Sequence, residues 1–581
     1  MDHQATDLSF VAFFCSVGYV HFKDVFDIGL ESVWLCAVFF LLVKVIMELV
    51  SNRSVKSGMK GATGKFTEIN GSYTVADNGK RSVRSENIYG KFPKNTMTPW
   101  KNQRNEGREG DPAASAIETS KAKIFMDLPP DFRDVRTPDE WIPRDGRMVR
   151  LTGRHPFNSE PPVAEIDKTR FLTPANLHII RNHGAVPKLG WDTHKLNVGG
   201  PLVKNPMVLS MTELITTFPT TEFPMTISCC GNRRKEMNMI KQTIGFNWGN
   251  GACGNNVYRG VLLRDILQRA GVDTSDVAGK YVEFIGSDDL GNKCGGPGPF
   301  IDEPWGEKVK YGTSIPLAKC MNPADEVMVA FMANGERLHP DRGYPIRVAV
   351  PGYIGGRMIK WLSKINVIPH ESHNCYHYWD NKYLPPQVTS EIAAKDGWWY
   401  KQEYIINELS LNSLITRPLH DERLPIASNI GKTMEIGGYA HSGGGRKVTR
   451  VELSIDEGVT WDLAKISREE KPNDYGKYWC WVWWTFELPV ANLFGKSEVW
   501  CRAWDTSNSP QPEKPVWTLM GQSSNHIFRI KIHKDVTDAG EAVLRFEYPT
   551  QPGTQSGGWA TRVEDKVKSA GYGLIEFNEQ N

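Results

Sequence analysis

The feature that most constrains this chain is a change of pattern near residue 405. Upstream, from about residue 131, short apolar strands such as Met225–Ser228, Tyr281–Ile285, Glu326–Met332 and Ile346–Val350 alternate with helical stretches such as Val261–Ala270. That mixture predicts an α+β domain over 131–405. Downstream, Lys447–Ile455, Tyr478–Leu488 and Glu498–Trp504 are rich in Val, Trp and Thr, with Gly, Asn, Asp and Pro between them. Short strands separated by turns, without helices, predict a β-sandwich over 406–545. A chain of 581 residues also exceeds what a single core serves, so separate folded units are expected in any case.

The ends have a different composition. Ser32–Val50 is almost wholly apolar, with Lys44 and Glu48 as its only charges, and is about long enough to span a bilayer. The acidic start (Asp2, Asp7) does not fit a cleaved signal peptide. Arg53, Lys56, Lys60 and Lys65 follow the apolar stretch, which would place everything after residue 50 in the cytosol. Two readings of 1–50 stay open: a membrane anchor, and a buried helix or an extension without function. Residues 51–130 are rich in Gly, Ser, Asn and basic residues and predict a flexible linker, and 546–581 a tail. A net charge of +2 gives no reason to expect a nucleic-acid partner. The ten cysteines include no C-x-x-C pair, so thiols in a reducing compartment are expected rather than a disulfide scaffold.

The strongest local signal is Ile227-Ser-Cys-Cys-Gly-Asn-Arg-Arg-Lys-Glu236, where an apolar strand runs into cysteine, glycine and two arginines. A thiolate is a soft ligand suited to a redox metal. Neighbouring guanidinium groups lower a thiol's pKa and hold oxyanions through paired hydrogen bonds. Glycine lets the backbone approach a cofactor. Read alone, the segment is better explained as a strand end with a solvated basic turn.

Cys229-x-Gly-Asn-Arg-Arg234 resembles the molybdenum-ligand motif of the sulfite oxidase family, which includes the eukaryotic nitrate reductases. Further segments agree in order, among them Arg154-His-Pro-Phe-Asn-Ser-Glu-Pro-Pro162, Arg181-Asn-His-Gly-Ala-Val-Pro187, Gly355-Gly-Arg-Met-Ile-Lys-Trp-Leu362 and Ser442-Gly-Gly-Gly-Arg-Lys-Val-Thr-Arg450. The resemblance covers roughly 130–560. It implies a sulfite-oxidase-type molybdopterin domain followed by an immunoglobulin-like β-sandwich that mediates dimerisation, and hence a homodimer. It further implies a molybdenum–molybdopterin cofactor with Cys229 as the metal's sulfur ligand. Arg181, Arg234, Trp248 and Asn334 would line the oxyanion pocket, and His183, Arg347 and Lys360 would hold the pterin and its phosphate. Cys230 stands where the family usually has Ala. Adjacent strand residues point to opposite faces, so one cysteine of the pair is expected at the metal. Asp341-Arg-Gly-Tyr-Pro-Ile-Arg347 departs from the family pattern, with Arg342 available to a phosphate.

The implied activity is reduction of nitrate to nitrite in nitrate assimilation. Animal sulfite oxidases carry an Arg within a Trp-x-Trp-Arg-x-Trp segment, and Trp479-Cys-Trp-Val-Trp-Trp484 has Val482 there. One pocket cation fewer would favour the monoanion nitrate over sulfite. Sulfite oxidation and a non-catalytic, membrane-tethered relative are the alternatives. Full-length nitrate reductases continue into haem and flavin domains. No His-Pro-Gly-Gly haem motif occurs here, so electrons are expected from a separate haem or flavin protein or from a longer version of the chain. Three other patterns are weaker. Gly249-Asn-Gly-Ala-Cys-Gly254 fits G-x-G-x-x-G ahead of a helix, but no clear strand leads into it. His370, His373, Cys375 and His377 match no standard zinc spacing. His155 and His178 read as structural.

Overall fold

The computed structural model describes residues 131–291 and 309–553. The apolar segment 32–50, the linker 51–130 and residues 554–581 of the tail lie outside the described residues. Among the described residues no helix is long and apolar enough to cross a membrane.

The first part is built on two five-stranded sheets. In one, Thr220–Ser228 pairs antiparallel with Cys253–Leu262, in register from Thr220 opposite Val261 to Ser228 opposite Cys253. The next strand is Met328–Ala333, which also pairs with Glu336–Arg337 and Arg347–Ala349. Both faces of this sheet are covered, so Met328–Ala333 is buried at every position and reads as a continuous apolar run. Thr220–Ser228 lies at the sheet edge, which is where Pro224, lacking an N–H, can be accommodated. The second sheet runs Met207–Ser210, Lys195–Gly199, Leu362–Ile368, Tyr281–Gly286 and Gly312–Pro316, with Leu362–Ile368 parallel to Lys195–Gly199 and the other pairs antiparallel. A single apolar core, including Phe223, Leu263, Phe284, Val329 and Val348, joins the two sheets.

The second part is a β-sandwich. A four-stranded sheet is ordered Asn412–Arg417, Thr433–His441, Val482–Pro489 and Lys465–Ser467. It faces a six-stranded sheet that contains Val448–Ser454, Glu498–Asp505, Phe528–Val536 and Ala542–Glu547. Ile436, Val451, Trp484, Val499, Phe528 and Phe546 fill the space between them.

Several boundaries differ from the sequence reading. Val261 and Leu262 end a strand, and the helix begins at Leu263, because Val261 pairs with both Thr220 and Val329 across the sheet. Gly249–Gly254 therefore runs into the strand Cys253–Leu262, not a helix, and is no dinucleotide loop. Glu326 adopts a left-handed backbone (φ 48°), so its strand starts at Met328. Cys375 is disulfide-bonded, contrary to the expectation of thiols throughout. Among the described residues no group of three or more His, Cys, Asp or Glu could hold a metal ion, which disposes of the 370–377 cluster. There, His377 is spent on the Thr313 hydroxyl at 2.8 Å.

Candidate functional site

Leaving the strand Thr220–Ser228, the chain turns through Cys229–Asn232, closed by Asn232 N donating to the Cys229 carbonyl (3.0 Å). Arg233 follows with φ 66° and caps the helix Arg234–Ile240. A Cβ on Gly231 would lie 2.7 Å from Arg234 and 2.8 Å from Trp248, so only glycine admits both side chains beside the thiol. The two arginines diverge. Arg233 is fully buried against the sandwich, gripping Glu236 (2.7 and 2.9 Å), Asn412 Oδ1 (2.9 Å) and the His526 carbonyl (2.6 Å). Arg234 enters a cavity of about 360 Å³ and donates to the carbonyls of Gly521 (2.8 Å) and Phe246 (3.1 Å).

Cys229 lines that cavity with a free thiol. The neighbouring Cys230 thiol and the Arg234 guanidinium hold its pKa below the ordinary thiol value, which favours the thiolate. Cys230 lines the cavity too, its thiol donating to Asn381 Oδ1 at 3.0 Å. The expectation that one cysteine would face away does not hold, because the pair lies just past the strand end, where alternation lapses.

Of the other expected site residues, Arg181, His183, Trp248, Arg347 and Lys360 all line the cavity. Arg181 donates to the Asn182 carbonyl (2.5 Å) and lies over the Phe246 ring. His183 packs against Tyr311 and Tyr376, with Nε2 3.4 Å from Asp380 Oδ2. Burial and Arg181 hold its pKa down to about 4, so the ring is neutral. Lys360 Nζ donates to the Asp341 carbonyl (2.9 Å) and to Asn182 Oδ1. Burial lowers its pKa to about 7. Arg347 donates to the carbonyls of Met358 and Arg342 (both 3.2 Å).

Asn334 is a correction. It does not line the cavity; it begins an Asn-Gly turn with φ 52°. Its side chain is spent on Val257 N (2.9 Å) and the Thr173 carbonyl (3.0 Å), which ties the turn to the sheet. The asparagine in the cavity is Asn381. Val482 is also misplaced by the sequence reading: it is buried in the sandwich core and absent from the cavity wall, so its identity does not set the pocket charge. The tryptophan-rich segment around it joins the two parts instead, Trp481 N donating to Thr226 Oγ1 (2.8 Å) and Trp481 Nε1 to the Phe171 carbonyl (2.9 Å). His178, read as structural, lines the cavity with Nε2 unpartnered.

Sequence reasoning missed Asp380, Asn381, Tyr311 and Gln522, which arrive from separate loops. An Asp-Asn pair set among aromatic residues at 376–383 was the available signal. The charge is unbalanced. Five cations (Arg181, Arg234, Arg342, Arg347, Lys360) line the cavity against the carboxylates Asp288, Asp341 and Asp380. Asp341 is consumed by Arg144, and burial raises Asp288 to about 6. Trp248 Nε1, Arg342 Nε and Asn381 Nδ2 are buried donors without a partner. Buried donors are rarely left unpaired. A surplus of cations with orphaned donors beside a free thiol fits a metal-bound, phosphate-bearing cofactor and an oxyanion.

Comparison with known proteins agrees. A family described as "Oxidoreductase molybdopterin binding domain" matches residues 183–376, and "Mo-co oxidoreductase dimerisation domain" matches 403–535. An NADH nitrate reductase of Brassica napus is 49% identical over 452 residues, 77% of this chain and 48% of that protein. An NAD(P)H nitrate reductase of Hordeum vulgare is 50% identical over 441 residues, 75% of this chain and 48% of that protein. The chain thus spans about half the length of these relatives. The sulfane dehydrogenase SoxCD of Paracoccus pantotrophus shares the fold, with a TM-score of 0.51 and 24% identity over 69% of this chain and 90% of that one. A cysteine-centred cationic cavity in this fold, with both domain matches and near-half identity to plant nitrate reductases, means that the chain belongs to the molybdopterin-binding oxidoreductases that carry the Mo-co dimerisation domain.

Proposed function

We propose that this chain reduces nitrate to nitrite at a molybdenum ligated by the Cys229 sulfur. The observation that carries the reading is the single cavity that joins a free, acidified thiol to five cations and three unpartnered donors. Bound molybdenum supplies two-electron oxygen-atom chemistry, and the protein supplies binding, orientation and electrostatics. Overall, nitrate takes two electrons and two protons and yields nitrite and water. Arg181 and Arg234 clasp the anion, because a guanidinium fork matches the planar oxygens of nitrate. Trp248 Nε1 and Asn381 Nδ2 donate to its remaining oxygens; neither has a protein partner to give up. His183, Arg342, Arg347 and Lys360 hold the pterin and its phosphate. Glu160 Oε1 and Oε2 accept from Gly249 N (2.8 Å) and Gly251 N (3.2 Å), which fixes the loop that carries Trp248.

The matched dimerisation domain supports a homodimer formed through the sandwich. Electrons come from a haem- and flavin-bearing donor, and the catalytic part works in the cytoplasm. The test is specificity. With reduced viologen as donor, kcat/KM for nitrate should far exceed that for sulfite oxidation measured with an artificial acceptor. The opposite order would reject nitrate as the substrate.

A further inference from the structure

Among the cavity-lining side chains named above, the unpartnered groups are donors, with two exceptions: His178 Nε2, whose ring gives its one hydrogen to the Ile179 carbonyl through Nδ1 (3.0 Å), and an amide oxygen in the sandwich loop. Gln522 lies in the loop between the strands Glu498–Asp505 and Phe528–Val536 of the sandwich, is 2% exposed and reaches the cavity wall. Its Nε2 donates to Asp380 Oδ1 at 3.2 Å. That contact fixes the amide: His183, Arg181 and Asn381 N hold the Asp380 carboxyl ionised against the opposing effect of burial, and an ionised carboxylate only accepts. The oxygen must therefore be the other terminal atom, and Gln522 Oε1 is buried with no partner. An unsatisfied buried carbonyl oxygen needs an N–H or O–H.

Neither nitrate nor nitrite carries a hydrogen to give. A reduced pterin does, on its ring nitrogens and exocyclic amine. We propose that Gln522 is a cofactor-contacting residue whose Oε1 accepts a hydrogen bond from a pterin N–H. The sandwich then does more than pair subunits. Its 506–527 loop closes the cofactor site, with the Gly521 carbonyl on Arg234, Gln522 on the pterin and Ser523 N on the Cys230 carbonyl (2.7 Å). The inference rests on the molybdopterin reading above.

The test uses full-length protein purified with its cofactor, and it reads cofactor retention rather than turnover. Molybdenum per chain and pterin fluorescence after oxidation are followed during extended dilution. Gln522→Met keeps the bulk and removes the acceptor, whereas Gln522→Glu keeps an acceptor oxygen and loses the donor to Asp380. If Oε1 holds the pterin, Gln522→Met releases cofactor about tenfold faster than wild type, and Gln522→Glu retains it better than Gln522→Met. If Gln522 merely braces Asp380, the order reverses, because a glutamate sets a second negative charge beside that carboxylate. Wild-type release from Gln522→Met, or faster release from Gln522→Glu than from Gln522→Met, overturns the proposal. Should Gln522→Met not fold, Gln522→Glu against wild type still decides: faster release comparable to a cofactor-site lesion overturns it, and near-wild-type release upholds it. Wild-type protein that binds neither molybdenum nor pterin would instead overturn the underlying reading.

Discussion

Arg144 lies outside the cavity, yet three parts of the cavity wall depend on it. Its side chain is 1% exposed and meets three carboxylates. Nε and Nη2 donate to Asp341 (both 2.9 Å), and Nη2 also reaches Asp139 at 2.9 Å. Nη1 is 2.9 Å from Asp134, an ion pair without hydrogen-bond alignment. Asp341 in turn accepts from Asn182 Nδ2 (2.9 Å), between the cavity residues Arg181 and His183, and its carbonyl accepts from Lys360. Replacing Arg144 with Met would leave fully buried carboxylates without their counter-charge, which costs about 3–5 kcal/mol. Hydrogen exchange of amides in 180–186 and 339–347 at neutral pH should then accelerate by roughly 100- to 4000-fold. Arg147→Met is the control, since that guanidinium is half exposed and its pairing with Asp145 and Glu165 contributes about 1 kcal/mol at most. The sign of the pH dependence follows from the carboxylates. Asp341 and Asp139, despite burial, are held below their ordinary value of 3.8, so their stabilisation is present above that value and is lost as pH falls through the folded value. In the variant these groups take up protons more readily, so its deficit should narrow toward acid pH. Exchange in Arg144→Met indistinguishable from that in Arg147→Met would refute the reasoning.

Other consequences are as specific. Glu160 is fully buried, and burial raises its pKa from 4.5 to about 7. Its folded value exceeds the unfolded one, so it costs nothing below 4.5 and costs progressively more as pH rises to 7, reaching about 3 kcal/mol. Glu160→Gln should therefore gain in melting temperature relative to wild type between pH 5 and pH 8; a gap that stays constant would contradict this. Trp248→Phe removes one unpartnered donor and should lower kcat/KM for nitrate about tenfold with little change in melting temperature. An unchanged kcat/KM would remove Trp248 from the substrate contacts. Asn334→Ala should lower the melting temperature, because the turn needs positive φ and two side-chain hydrogen bonds, while leaving KM for nitrate as in wild type. A raised KM would return Asn334 to the pocket.

What the sequence made legible was local. The strand-to-turn segment around Cys229, with Arg234 five residues on, carries its geometry in consecutive residues, and the cavity forms where it was expected. Arg181, His183, Trp248, Arg347 and Lys360 come together around the same cavity, and each sits in a segment whose pattern could be matched as a unit. The failures come from tertiary placement. Asn334 and Asn381 are both loop asparagines with positive φ, and only packing tells which reaches the cavity. Val482 sits on a strand whose tryptophan-rich neighbours suggested a pocket, yet sheet pairing with Ala440 turns it into the sandwich core. Gln522 lies nearly 300 residues from Cys229 in sequence, in a loop of the other domain. No local pattern ties the two.

The central claim is that Cys229 ligates molybdenum at the nitrate-reducing site, and one measurement addresses it directly. Molybdenum per chain and viologen-driven nitrite formation are determined on the same preparations of wild type, Cys229→Ser and Cys230→Ala. The account predicts one molybdenum per wild-type chain, abolished nitrite formation in Cys229→Ser, and most of the activity retained in Cys230→Ala, whose thiol is held protonated by its contact with the Cys229 sulfur and by burial. Full activity in Cys229→Ser, or loss of activity in Cys230→Ala alone, would show that the ligand has been assigned to the wrong sulfur.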